Sequence, residues 1–207
     1  MARASDTSAG SDDPPGRGAG GDLRRDLLDA ARRQLIQHGY AHLSMRAVAG
    51  RVGVTATSIY LHFQNKDALV HALIEEGMER LATALESADA AGAPPSERLS
   101  RLCRTYLEFG AANPEYYEVM FLLHPAKLTR YPQEKYRRAR RNIELFAETV
   151  RPFLRPGEDV RLVTHALWCL LHGAVSLRLS GRMDSHLDAE RMNDEAVARA
   201  LRMFGAA

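Results

Sequence analysis

The stretch GVTATSIYLHFQNKD, residues 53–67, gathers groups that can grip a polyanion. Thr55, Thr57 and Ser58 are short hydroxyls, Tyr60 adds a phenol, and Lys66 places an ammonium just beyond them. Such groups suit close approach to a nucleic-acid groove, where they meet base edges and phosphates. Other chemistry-bearing residues point to less. His165 and His172 lie seven residues apart on one helical face, with His124 a third imidazole. Two turns separate the pair and no carboxylate or thiol completes a metal set, so they read as hydrogen-bonded histidines. Cys103 and Cys169 fall in apolar helical patterns and form no metal-type spacing, which reads as two reduced core thiols rather than a redox switch. Neither a metal, a cofactor nor an enzymatic activity is expected.

The elements that must hold these groups are helical. At 207 residues, 45% hydrophobic and 26% charged, the chain is long enough to bury a core and has an ordinary soluble composition. Its net charge of +2 hides a local excess. Between Asp22 and Lys66 seven cations face three anions, which fits a polyanionic partner. A second basic run, KLTRYPQEKYRRARR at 127–141, reads as a solvated face and linker in preference to a binding surface. No run of 18 apolar residues and no apolar leader are found, so neither a membrane span nor secretion is expected, and the location is read as cytoplasmic.

Residues 1–21 lack large apolar side chains and are expected to be disordered. Leu27, Leu28, Ala31 and Leu35 then form a helical stripe stopped by Gly39. Short helices follow from the Ser44 cap to about Arg51 and from Thr55 to His62. A longer one opens at Asn65, carries Leu69, Leu73 and Leu81, and fades at an Ala/Gly/Pro stretch, residues 89–95. Ser96 is expected to cap the next, which ends before Pro114; PEYYEVMFLLH forms another, stopped by Pro125. Helices over 132–151, the apolar 158–181 stretch and 189–204 complete the chain, with Ile143, Phe146 and Val150 inward in the first. The fold class is all-α, about nine helices: a helix-turn-helix bundle followed by a second helical domain. Three segments are expected: a tail (1–21), a DNA-binding unit with its connecting fourth helix (22–88), and the remainder (89–207).

Met45 to Phe63 meets the steric demands of a helix-turn-helix. Val48, Val52, Val54 and Ile59 supply the inner contacts, Ala49 is small at the crossing, and Gly53 permits a left-handed turn. With these buried, Thr55, Ala56, Thr57, Ser58 and Tyr60 face outward. The segment LSMRAVAGRVGVTATSIYLHFQNKDALV, residues 43–70, resembles the DNA-binding segment of TetR-family transcriptional regulators. The matching positions are Leu43–Ser44, Ala49, Gly53–Val54–Thr55, Tyr60–Leu61–His62–Phe63 and Lys66. Trp168, His172 and Gly173 resemble a Trp-xxx-His-Gly signature of one C-terminal subfamily, and NPEYYEVMF at 113–121 is similar to its sixth helix.

The resemblance implies that 89–207 is a helical ligand-binding and dimerisation domain, and that the chain is a homodimeric repressor that binds pseudo-palindromic double-stranded operator DNA and releases it to a small-molecule effector. Its carried-over DNA contacts are Ser44, Arg46, Thr55, Ala56, Thr57, Ser58, Tyr60, His62 and Lys66. Arg46 is the side chain best suited to read a base, because Ala56 and Thr57 carry no bidentate donors. Candidate effector contacts are Tyr106, Phe109, Tyr117, Met120, Phe121, Phe146, Trp168 and His172. Candidate subunit contacts are Leu167, Leu171, Ala174, Val175, Val197, Leu201 and Phe204. Two other readings stand beside this one: a ligand-independent architectural DNA binder, and a metal sensor or enzyme built on the C-terminal helices.

Overall fold

Caps and turns written in the sequence set the helix boundaries of the computed structural model, which describes residues 21–90, 92–122, 136–184 and 186–205. The described residues form nine α-helices and no strand: α1 (Gly21–His42), α2 (Met45–Val52), α3 (Ala56–Tyr60), α4 (Lys66–Ala88), α5 (Pro95–Ala112), α6 (Pro114–Tyr117), α7 (Tyr136–Val150), α8 (Val160–Leu179) and α9 (Ala189–Met203). The tail through residue 20, His124, Pro125 and most of the second basic run lie outside them.

Gly39 breaks α1 as a kink rather than a stop. Its φ of 72° and ψ of 170° interrupt the helix, which resumes through His42. Ser44 caps α2, accepting from the Ala47 N–H at 3.5 Å. Gly53 ends it with φ 77° and ψ 27°, its N–H donating to the Gly50 carbonyl and the next N–H, of Val54, to Ala49. That pair of bonds is a Schellman ending, which favours glycine at the left-handed position. Helix α3 is shorter than the sequence suggests. The His62 and Phe63 N–H groups both reach back to the Ile59 carbonyl, at 3.1 and 2.9 Å, and the resulting turn drives Phe63 into the core.

Ser96 does not cap α5. The helix begins one residue earlier, at Pro95 after Pro94, with no side-chain cap. A proline at the first position has no N–H to leave unsatisfied, so the cap is dispensable. Helix α6 also differs from expectation: after Tyr117 it widens into a π-helical turn, Glu118–Leu122.

Two apolar clusters hold the chain together. The first joins α1–α3 to the near end of α4, with Leu69, Val70, Ala72 and Leu73, and takes in Val119 from the π-turn. The second joins Leu81 and Leu85, at the far end of α4, to α5 through α9. Gly77 marks the change between them. A Cβ there would lie 2.5 Å from Met120 Sδ and 3.2 Å from Tyr116 Cδ1, so α4 and the α6–π-turn segment approach too closely for a side chain.

Helix α8 is apolar over most of its circumference, and only its packing decides which face goes inward. Leu167, Leu171, Val175 and Val197 of α9 are at most 4% exposed within a single chain, and Ala174, Leu201 and Phe204 pack against the same core. The four fully buried residues therefore cannot meet a second subunit, which corrects their assignment as subunit contacts. The outward row is Leu162, Ala166, Cys169 and Leu177, with Leu162 72% exposed. Cys169 is thus exposed rather than a core thiol, while Cys103 is buried and its thiol is pushed up to about 12 by that burial. Among the described residues α8 is the one helix long and apolar enough to cross a membrane by length and composition. In the fold it packs against α5, α7 and α9.

Gly110 of α5 is the second tight approach: an added Cβ would overlap Val175 Cγ1 of α8 and sit 2.9 Å from its Cγ2. A β-branched side chain cannot swing clear in a helix. Gly110→Ala should therefore cost about 1–3 kcal/mol through overpacking, read as a lowered urea midpoint. An unchanged midpoint would mean the α5–α8 crossing is looser than described.

Candidate functional site

The helix-turn-helix presents a polar outer surface because its inner one is consumed by packing. Val48, Ala49 and Ile59 are at most 1% exposed, so α2 and α3 can turn only their other sides outward. Arg46, Arg51, Thr57 and Tyr60 are exposed, while Ala56 and Ser58 are half-buried. Thr55 caps α3, its Oγ1 accepting from the Ser58 N–H at 3.2 Å and meeting the Ser58 hydroxyl at 2.9 Å. These two hydroxyls fix the start of α3. Arg46 and Arg51 have no carboxylate partner among the described residues, which leaves their charge available. Leu61, 82% exposed beside Tyr60, was not foreseen as part of this surface.

Lys66 is held rather than loose. Its ammonium lies 4.1 Å from the centre of the Tyr40 ring and donates to the Ala41 carbonyl at 3.4 Å. Tyr40 in turn donates its hydroxyl to Asp67. Burial first, then Asp67, pushes the Tyr40 phenol up to about 12. The cation at the start of α4 is thereby tied to the end of α1, and the ring offsets part of the unfavourable helix-dipole term.

A second feature lies between α4, α5, the π-turn, α7 and α8. It is a cavity of about 420 Å³ walled by Met78, Leu81, Leu85, Tyr106, Met120, Phe121, Ile143, Phe146 and Trp168, with Arg140, Asn142 and His165 as its polar members. Of the expected effector contacts, Tyr106, Met120, Phe121, Phe146 and Trp168 are brought together here. Phe109 is not; it faces the groove between α1, α4 and α5 on the other side. Tyr117 and His172 also fall outside the wall and form a polar chain behind it. Trp168 Nε1–H donates to the Tyr106 oxygen at 2.8 Å, and the Tyr106 and Tyr117 hydroxyls are 2.9 Å apart. The Tyr117 hydroxyl reaches His172 Nδ1 at 2.6 Å, and His172 Nε2 lies 3.2 Å from the Ser176 hydroxyl. One direction satisfies every member: each donates to the next, ending on a neutral imidazole whose Nε2–H meets Ser176.

The residues missed by sequence reading, Met78, Leu81 and Leu85, continue the apolar stripe of α4 beyond its first core, and that continuation was the available signal. Arg140 gave none, since the basic run read as solvated, and neither did Asn142, which follows that run directly. Among the described residues no group of three or more His, Cys, Asp or Glu is arranged to hold a metal ion.

Between surface and cavity stands Tyr116 of α6. Its ring lies between the guanidinium groups of Arg32 of α1 and Arg80 of α4, 4.4 and 4.6 Å from its centre. Its hydroxyl donates to Glu76 at 2.7 Å and accepts from Arg32. Arg32 also pairs with Glu115 and Asp29, both at 2.9 Å. One ring therefore joins three helices, two of them from the helix-turn-helix side.

A helix-turn-helix unit sharing one long helix with a cavity-bearing helical half is a two-part all-α architecture, and comparison with known proteins gives it a family. The family description "Bacterial regulatory proteins, tetR family" matches residues 27–73, and "Tetracyclin repressor-like, C-terminal domain" matches residues 99–204. The chain belongs to the TetR family of bacterial regulatory proteins. It is 41% identical over 59 residues to an HTH-type transcriptional repressor of Mycobacterium tuberculosis, a match spanning 28% of this chain and 32% of that protein. A protein of unknown function from Rhodococcus sp. RHA1 is similar over 92% of this chain and 98% of its own, at 25% identity and TM-score 0.76. The FadR transcriptional regulator from Bacillus subtilis, solved in complex with stearoyl-CoA, shares the fold over 88% of this chain and 98% of its own, at 17% identity and TM-score 0.72.

Burial holds the His172 imidazole below its ordinary 6.5, so the unfolded chain takes up the proton more readily. The stability this contributes is complete above pH 6.5 and is lost as pH falls through the lowered folded value. Melting temperature should therefore drop on acidification, and less steeply in His172→Gln. Parallel acid-side profiles for the two proteins would exclude His172 as the titrating group.

Proposed function

We propose that the chain is a homodimeric transcriptional repressor in the cytoplasm, binding pseudo-palindromic operator DNA through residues 22–88 and releasing it when a small, largely apolar molecule enters the second half, residues 89–207. The observation that carries this reading is the sharing of α4. One end starts at Lys66 on the DNA-facing side, and the other supplies Met78, Leu81 and Leu85 to the cavity wall. A ligand that prefers one position of α4 biases the spacing of two recognition helices, and such coupling amounts to about 1–3 kcal/mol, a 5- to 150-fold change in operator affinity. The cavity favours this over a ligand-independent architectural binder.

The contacts proposed for DNA are Ser44, Arg46, Thr55, Ala56, Thr57, Ser58, Tyr60, His62 and Lys66. Thr55 and Ser58 serve chiefly by shaping α3, and the exposed Leu61 is added to the set. An operator selected from random duplexes allows the test by mobility shift at several salt concentrations. Lys66→Ala should weaken all sequences alike and reduce the salt slope by about 1. Arg46→Ala should cost about 1–3 kcal/mol per half-site and relax selectivity at one position. Equal loss across all base-substituted operators would reduce Arg46 to a phosphate contact.

Dimerisation is proposed through the outward row of α8. Leu162, Ala166, Cys169 and Leu177 recur on one face, and Gly173 has nothing within 4 Å of where its Cβ would stand, so a second helix can approach there. Leu162→Glu or Leu177→Glu should give folded monomers with weak operator binding. Light scattering that finds either variant dimeric at micromolar concentration would remove this face from the interface.

A further inference from the structure

The cavity's charge is one-sided. Its described walls carry no carboxylate, and Arg140 is its one formal cation. Arg140 makes no ion pair or hydrogen bond among the described residues, whereas its neighbour Arg141 pairs with Glu86 at 2.7 Å. Trp168 Nε1–H is spent on Tyr106, and the Asn142 amide N–H donates to the Met78 carbonyl at 3.2 Å, while the buried Asn142 Oδ1 has no hydrogen-bond partner among the described residues. His165 Nδ1 lies 2.7 Å from the Arg161 carbonyl, an acceptor only, so Nδ1 carries the proton and Nε2 of the neutral ring is an acceptor, which leaves Arg140 as the group able to meet an anion. Apart from Arg140, Asn142 and His165 the wall is aliphatic and aromatic.

We propose that the effector is an amphiphilic monoanion: an apolar body carrying one carboxylate, the body in the cavity and the carboxylate on the Arg140 guanidinium. This rests on the reading of the cavity as the effector site and names the chemistry it selects. A guanidinium meets a carboxylate with two parallel N–H···O bonds, which suits Arg140 as the selective group. A lipophilic cation would face Arg140 with no compensating acid, and a neutral alcohol would offer the guanidinium no opposite charge. The volume, about 420 Å³, sits toward the lower end of the roughly 300–1,000 Å³ range of small-molecule sites, so a body of medium-chain or bicyclic size fits and a bulky conjugate does not.

Trp168, the single tryptophan of the chain, lies in the wall and reports occupancy without DNA. The full-length protein is titrated with decanoate and naphthoate, an aliphatic and an aromatic source of the same group, and with decanol and decyltrimethylammonium, followed by Trp168 fluorescence and calorimetry. At least one carboxylate should bind about tenfold or more tightly than decanol, and the ammonium should not bind. Arg140→Gln, a change at an exposed position, should abolish that preference while leaving decanol affinity unchanged. Decanol equal to both carboxylates, a preference that survives Arg140→Gln, or no binding by any probe overturns the proposal. Operator affinity is measured separately with the bound carboxylate. Binding that leaves it unchanged keeps the anion site and overturns the effector reading instead.

Discussion

Gly77 has no side chain, and Met120 and Tyr116 fill the space one would need. This close crossing is what lets α4 belong to two cores. Packed at that distance, α4 places Leu73 among α1–α3 and Leu81 among α5–α9 without an intervening linker. The same crossing brings Val119 into the first core while Met120, the next residue, lines the cavity. Displacing Met120 therefore presses on a segment whose neighbours touch the helix-turn-helix. Tyr116 strengthens that connection through aromatic contacts with Arg32 and Arg80 and a hydroxyl shared with Glu76. Burial first, and Glu76 next, push its phenol up to about 12, so it remains a neutral donor at ordinary pH.

The second half meets a different constraint, since it buries polar groups next to a cavity. A buried hydroxyl without a partner costs about 1–3 kcal/mol, and the sequence of bonds from Trp168 through Tyr106, Tyr117 and His172 to Ser176 avoids that cost link by link. It also fixes ring orientations: Tyr117 stacks on His172 at 5.5 Å, and Phe121 packs against both Tyr117 and Trp168. The cavity wall is thus held from behind, which favours a preformed site over one that collapses when empty.

On the opposite face of α8 the apolar residues Leu162, Ala166, Cys169 and Leu177 stay exposed among the described residues. A helix rich in Leu, Val and Ala over nearly its whole circumference can satisfy one face by packing on α5, but not the other. That surplus is the physical basis for expecting a second subunit, and it is independent of the DNA surface.

Much of this was legible in the sequence because it depends on local rules. The αL glycine at 53, the hydroxyl cap at Thr55 and the amide cap at Asn65 each act within a few residues, so the helix-turn-helix and its polar outer surface could be read directly. The stripe of Leu27, Leu28, Ala31 and Leu35 likewise named its own buried face. The misreadings of packing share one cause. Leu171 and Leu162 sit on the same apolar helix, and periodicity cannot tell which of two apolar faces meets α5; the close approach of Gly110 to Val175 fixes that crossing. Cys169 changed from core to surface for the same reason. Phe109 and Phe121 look alike in composition, yet their helices turn them to opposite sides. Arg140 read as one charge in a solvated run until α7 packed beside α4 and α8. The sequence by itself determined which segments are helical and where the helix-turn-helix turns its polar side chains outward. The tertiary structure alone decided which apolar face goes inward and which charge borders a cavity, because those depend on contacts between residues far apart in the chain.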